Sequence, residues 1–133
     1  MHVTRVRVRF PETDKMGVVY HGNFFPYFEI GRTELLRDAG LAYTEIERRG
    51  YRLVVVEAGA KYLAPAVYDQ ELEIHTRVAE LTGARVVFDY EVTSNGTRLA
   101  EGRTAHACIG PAGRPVRLPA DVVELLKGAA GGR

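Results

Sequence analysis

Serine occurs once in this chain, at Ser94, immediately before Asn95–Gly96, the strongest short hairpin signal in the sequence. A serine nucleophile needs a strained, supported position beside a base, so serine hydrolase chemistry is not expected. Cysteine is as scarce. A lone Cys108 excludes an internal disulfide framework and fits a reducing compartment. His106 shares a strand face with it, but i, i+2 neighbours lie about 7 Å apart at Cα, too far for a direct Cys–His pair. Cys108 therefore reads as a small buried core residue. The histidines His2, His21, His75 and His106 are scattered, with no His-x-x-x-His and no second cysteine, so no metal is expected. No glycine loop is placed to cradle phosphate: Gly110 and Gly113 lie in a turn with no helix after it. No run approaches the roughly 20 apolar residues of a membrane span. The beginning, MHVTRVRVRF, has no apolar stretch or cleavage site of a secretory signal, and a cytoplasmic location is expected.

What is present suits one soluble domain. The 133 residues are 46% hydrophobic and 26% charged, and the net charge of +1 argues against a nucleic-acid partner. A domain is expected over residues 1–128, with 129–133 as a loose glycine-rich tail.

The pattern is α+β. Val6, Val8 and Phe10 alternate with Arg5, Arg7 and Arg9, the signature of a half-buried strand. From Asn23 the period changes, and Phe24, Phe28, Gly31, Leu35 and Ala39 form one helical stripe. Asn23 is the expected N-cap and Gly40 the stop. Gly31 in mid-helix costs about 1 kcal/mol against alanine unless close packing needs it, so the helix should press onto a sheet. Thr44 and Glu47 suggest a capping box for a short second helix ending at Gly50. Strand candidates follow in RLVVVEAG, extended by AKYLAP after a break near Gly59, then ELEIHTRVAEL, RVVFDYEVTS and TRLAEGRTAHACI. The segment PADVVELLKG closes the chain as helix. One long helix wrapped by one curved antiparallel sheet is the expected design.

Between the first strand and the long helix lies TDKMGVVYHGN, residues 13–23. The first four N–H groups of a helix lack internal partners and carry partial positive charge. Aimed at a carbonyl oxygen they can stabilise an oxyanion. A carboxylate beside them, here Asp14, could attack an activated acyl carbon or activate water. Spacing alone leaves Asp14 open between that role and an ordinary turn or capping residue. Gly17 and Gly22 read equally as turn residues.

The longer stretch TDKMGVVYHGNFFPYFEIGRTELLR resembles the signature of hot-dog-fold acyl-CoA thioesterases of the 4-hydroxybenzoyl-CoA thioesterase-like family, nearest to the subgroup found with the bacterial Tol–Pal system. The likeness continues through KYLAPAVYDQELEIHTRV, LTGARVVFDYEV and GRPVRLPA, in the family's order. The resemblance implies a curved sheet around one helix, and at least a homodimer, with dimers stacked as a homotetramer. It implies an active site at the subunit interface and no cofactor, coenzyme A being part of the substrate. It assigns Asp14 as nucleophile or general base. It places the oxyanion N–H at His21, with Gly22 beside it, and counts the His21 side chain as catalytic. Tyr20 and Asn23 would line the site. Lys61 and Arg85 are candidates for the coenzyme A phosphates, with solvated surface charge as the competing reading. The basic cluster some relatives carry there is reduced to Arg85 after Thr82-Gly83-Ala84, and Phe10 stands where some carry tyrosine. Two rivals are a hot-dog hydratase or dehydratase, and a non-catalytic acyl- or partner-binding module. Hydratases of this fold set Asp and His closer, with Asn-Pro between them; here six residues intervene and no Asn-Pro is present.

Overall fold

The computed structural model describes residues 1–131. Five strands form one antiparallel sheet in the order β1-β3-β4-β5-β2, with β1 at His2–Arg7, β2 at Arg52–Tyr62, β3 at Glu71–Leu81, β4 at Arg85–Ser94 and β5 at Thr97–Ile109. The long helix α1 (Phe24–Asp38) packs against β3, β1 and β4. The short α2 (Tyr43–Arg48) follows it, and α3 (Ala120–Gly131) lies against β3. This is the hot-dog arrangement expected from the sequence, a curved sheet holding one long helix.

The apolar stripe of α1 faces the sheet, with Phe24, Phe28, Gly31 and Leu35 buried. Across from it, Leu72, Ile74, Thr76 and Val78 of β3 turn inward, as their alternation requires. Gly31 explains the closeness. A Cβ there would collide with Thr76 Oγ1 and sit 2.8 Å from Ile74 Cγ2, so only glycine lets the helix backbone reach the strand.

Several local expectations are corrected. Phe10 is 71% exposed rather than inward, because β1 ends at Arg7 and Phe10–Glu12 form a 3₁₀ turn containing Pro11. Once the chain leaves the sheet, strand alternation no longer sets direction. Asn23 does not cap α1 with its side chain; a 3₁₀ turn, His21–Asn23, runs directly into the helix. The N-cap of α2 is Ala42, which puts Thr44 inside the helix and removes the capping box. There the Tyr43 hydroxyl accepts a hydrogen bond from the Leu53 N–H at 3.0 Å and ties the helix start to β2. β2 runs unbroken through Gly59, and its irregularity is a bulge between Val55 and Glu57. α3 is described through Gly131, and residues 132–133 of the expected tail lie outside the described residues.

A polar chain crosses the core beneath α1. Arg32 donates to the Tyr90 hydroxyl at 3.4 Å, Tyr90 meets Thr104 Oγ1 at 2.6 Å, and Thr104 meets His106 Nε2 at 2.8 Å. His106 is 1% exposed. Burial, reinforced by the Arg32 charge and offset a little by the Leu53 carbonyl, pushes its pKa down to about 4. The unfolded ring titrates near 6.5. Below that value the unfolded state takes up a proton that the folded state refuses. The neutral ring's contribution is therefore complete above about pH 6.5, erodes on acidification and is lost near pH 4. The shift corresponds to a loss on the order of 3 kcal/mol. Urea unfolding at pH 7 and pH 4 should show the wild type losing that much more than His106→Gln. Equal losses in both proteins would contradict the buried neutral ring.

Candidate active site

The segment between β1 and α1 folds back on itself. Thr13 and Val19 form a bridge, and Val18 pairs with Val67, which fastens the turn to the segment after β2. At the tip, the Asp14 N–H donates to the Val18 carbonyl at 2.8 Å and the Gly17 N–H to the Asp14 carbonyl at 3.0 Å. The Met16 N–H donates to Asp14 Oδ1 at 2.8 Å. This Asx-type turn explains the local residues: Asp14 supplies the side-chain acceptor, and Gly17 takes a φ of +82° that a side chain would oppose. Asp14 is partly exposed, and its Oδ2 has no hydrogen-bond partner among the described residues. The turn and the free oxygen coexist, so a structural role does not exclude a chemical one.

From Val19 the chain passes through Tyr20 into the His21–Asn23 turn. The Asn23 N–H bonds the Tyr20 carbonyl at 2.8 Å. The N–H groups of His21 and Gly22 have no hydrogen-bond acceptor among the described residues. These are the free donors expected at a helix start. The Tyr62 hydroxyl donates to the His21 carbonyl at 2.9 Å, joining the turn to the end of β2. The Tyr20 and His21 rings lie 4.4 Å apart, His21 and Tyr62 6.0 Å, and Phe24 and Tyr62 5.5 Å, so aromatic rings surround the donors. A Cβ on Gly22 would come within 2.8 Å of the Tyr20 ring. Tyr20, His21, Gly22 and Tyr62 therefore form one cluster. Among the described residues Asp14 and His21 share no hydrogen bond; they are linked through the bridged turn.

Asn23 ties the helix start to the loop before it. Its Nδ2 donates to the Glu12 carbonyl at 2.8 Å, which also accepts from the Tyr20 N–H at 3.0 Å. The Glu12 carboxylate accepts from the Arg9 N–H at 2.9 Å, the Arg9 Nε at 3.0 Å and the Tyr27 hydroxyl at 2.8 Å. Glu12 thus braces both ends of the loop that carries Asp14. No local pattern in the sequence singles it out, because Tyr27 and Asn23 lie a helix start away. Burial alone would raise the Glu12 pKa, but the hydrogen bonds from Arg9 and Tyr27 together outweigh it and the net shift is downward. Burial, with the facing carboxylate, pushes the Tyr27 hydroxyl up. The ionised Glu12 therefore stabilises the fold fully above its unfolded value near 4.3 and ceases to do so as pH falls through the lower folded value. Glu12→Gln should cost about 2 kcal/mol at pH 7, the scale of hydrogen bonds to a charged group, and less at pH 3. Chemical unfolding at the two pH values checks this, and a pH-independent difference would contradict it.

Lys61 and Arg85 are not drawn to this cluster. Lys61, on the exposed side of β2, lies 4.0 Å from Glu101, and Arg85, at the start of β4, bonds Glu57 at 3.0 Å. A carboxylate with one free oxygen and, six residues further along the same bridged segment, a helix start with two free N–H groups are the kinds of group acyl transfer uses, the first for attack or base catalysis and the second for charge stabilisation.

The thioesterase-like superfamily model matches residues 8–126. An acyl-CoA thioester hydrolase, YbgC, of Escherichia coli O6:H1 is 33% identical over 124 residues, covering 92% of each chain. Among solved structures, a hypothetical protein from Thermus thermophilus aligns with a TM-score of 0.93 at 42% identity, over 96% of this chain and 98% of that one. A DHNA-CoA thioesterase from Staphylococcus aureus aligns with a TM-score of 0.92 at 29% identity, over 97% and 90%. Fold and sequence agree, and the chain belongs to the thioesterase-like superfamily. It shares that superfamily's hot-dog fold and is an enzyme of the thioester hydrolase class.

Proposed function

We propose that the protein hydrolyses an acyl-CoA thioester to a free acid and coenzyme A. The observation that carries this reading is that one bridged segment holds both the Asp14 carboxylate, one oxygen unpartnered, and the unpaired His21 and Gly22 N–H groups at the start of α1. The thioester carbonyl oxygen would accept from those N–H groups, which develop their full value as the oxygen becomes an oxyanion. Asp14 would add to the acyl carbon, or remove a proton from a water that does. The C–S bond then breaks, coenzyme A leaves as the thiol, and water supplies the acid's new oxygen. The His21 side chain and the Tyr20 ring border the same space. No metal and no separate cofactor takes part in this scheme.

A second subunit would complete the site. β2 is an edge strand with Val54, Val55 and Val56 exposed at 44%, 47% and 51%, an apolar edge that pairing with a copy of itself would cover. A dimer built there, and a tetramer of such dimers, agree with the membership. Placement in the Tol–Pal-associated subgroup rests on the motif in residues 13–37 and implies a cytoplasmic enzyme. No described helix is long and apolar enough to cross a membrane. Lys61 and Arg85 could hold coenzyme A phosphates only by exchanging Glu101 and Glu57 for them.

A panel of short, long and aromatic acyl-CoA substrates, read by free thiol, tests the function. Thiol release from at least one class is expected. Hydration of crotonyl-CoA without thiol release would move the chain to the hydratases, and tight binding without turnover to non-catalytic acyl binders.

A further inference from the structure

β2 ends at Tyr62, which pairs with Ala100 of β5. Just beyond it the Leu63 and Ala64 N–H groups both donate to the Leu99 carbonyl, at 2.9 and 3.1 Å. The ring is therefore carried on a strand end anchored before and after it. It meets the His21 and Phe24 rings edge-on, at 6.0 and 5.5 Å between centroids, and its hydroxyl donates to the His21 carbonyl at 2.9 Å. That carbonyl also accepts from the Phe24 N–H, which it shares with the Gly22 carbonyl. Partial burial, with the neighbouring Tyr20, pushes the Tyr62 hydroxyl up, so at neutral pH it keeps the proton it donates.

The His21 carbonyl and the Gly22 N–H are the two ends of one peptide unit. No peptide bond among the described residues is cis, so the two groups point in opposite directions. Fixing the carbonyl towards Tyr62 therefore fixes the direction of the Gly22 N–H, away from it. Resonance links the two ends as well. A donor on the oxygen increases the double-bond character of C–N and the positive charge on the N–H, a strengthening of roughly 10–30% per bond. The Gly22 N–H has no acceptor of its own among the described residues, so the gain is available to a ligand.

We propose that Tyr62 is a positioning residue for thioester hydrolysis, its hydroxyl holding the His21 carbonyl so that the Gly22 N–H is aimed at the thioester oxygen and strengthened as a donor. This role rests on the proposed hydrolysis, in which that N–H receives the oxyanion. Tyr62 touches no reacting atom in that scheme and acts through the peptide unit. A stronger donor gains most as negative charge develops on the oxygen, so its effect falls on kcat.

Tyr62→Phe removes the hydroxyl and keeps the ring, with its contacts to His21 and Phe24. Thiol release should fall about 5- to 30-fold in kcat, with KM changed less than about twofold. That is short of the roughly 10²- to 10³-fold for losing an oxyanion donor outright. In the isotope-labelled protein without substrate, the His21 carbonyl carbon and the Gly22 amide nitrogen should both move upfield. Tyr62→3-fluorotyrosine, a stronger donor of nearly the same shape, should move both downfield at a pH where its phenol stays protonated. It covers the case in which the phenylalanine variant fails to fold. Undiminished kcat in folded Tyr62→Phe, a loss carried by KM alone, or resonances that move in neither variant would each overturn the role of Tyr62, while thiol release by the wild type and its loss in Asp14→Asn would leave the hydrolysis standing. No thiol release by the wild type would instead remove the hydrolysis, and this role with it.

Discussion

Asp14→Asn should lower turnover of the preferred acyl-CoA by about 10²- to 10⁴-fold while the protein stays folded, the range for losing a positioned general base or nucleophile. The amide keeps the shape of the side chain and one oxygen, so the hydrogen bond from the Met16 N–H at 2.8 Å can survive. The backbone bonds to Val18 and from Gly17 do not involve the side chain at all. What the substitution removes is the charge and the basic lone pair on the unpartnered oxygen. The loss should fall on kcat, with KM little changed, because the acyl-CoA ground state needs no contact with a negative carboxylate. Asp14→Ala should lose at least as much activity, and somewhat more stability, since it also leaves the Met16 N–H without its acceptor. Steady-state thiol release with circular dichroism of each variant checks both parts. A folded Asp14→Asn protein turning over at the wild-type rate would remove Asp14 from the chemistry.

Phe28→Ala should destabilise the fold by about 3–5 kcal/mol, the range for emptying a fully buried aromatic site. For a domain of this size that is a fall in Tm of roughly 10–18 °C. Phe28 is 0% exposed and stacks on Tyr90 at 4.5 Å, at the centre of the contact between α1 and the sheet. Its ring occupies the space over Gly102, where a Cβ would overlap Phe28 Cε2 and Cζ and approach the Gly59 carbonyl at 3.1 Å. That juxtaposition gives a second reading of the same contact. Gly102→Ala should be destabilising in the wild type and much less so in Phe28→Ala, where the ring is gone. The double-mutant cycle isolates the coupling, and strict additivity would show that the two residues do not share the space.

The long-range design was legible in the sequence wherever periodicity and a special residue agreed. Asn95–Gly96 did join two strands, with φ of 49° and 80° as a type I′ turn requires. Gly31 predicted close packing and Thr76 receives it. Failures cluster where the controlling contact is distant. Phe10 continues an alternating pattern, yet Pro11 takes the chain out of the sheet and the ring ends edge-on to Tyr68 at 6.0 Å. Thr44 and Glu47 have capping spacing, but the Tyr43 contact with Leu53 moves the helix start. At the candidate site, Asp14, His21 and Gly22 could be proposed from the sequence because they fall within one short segment between a strand and a helix. Glu12 could not, because its value lies in reaching Tyr27 and in a carbonyl shared by Tyr20 and Asn23.

Hydrolysis at Asp14 is tested most directly by running the reaction in ¹⁸O-enriched water and analysing both products by mass spectrometry. Free coenzyme A and an acid bearing one water-derived oxygen should appear in equal amounts over many turnovers with the wild type, and at a rate lower by orders of magnitude with folded Asp14→Asn. An intact acyl-CoA with water added across a double bond, no turnover at all, or undiminished acid formation by Asp14→Asn would contradict it.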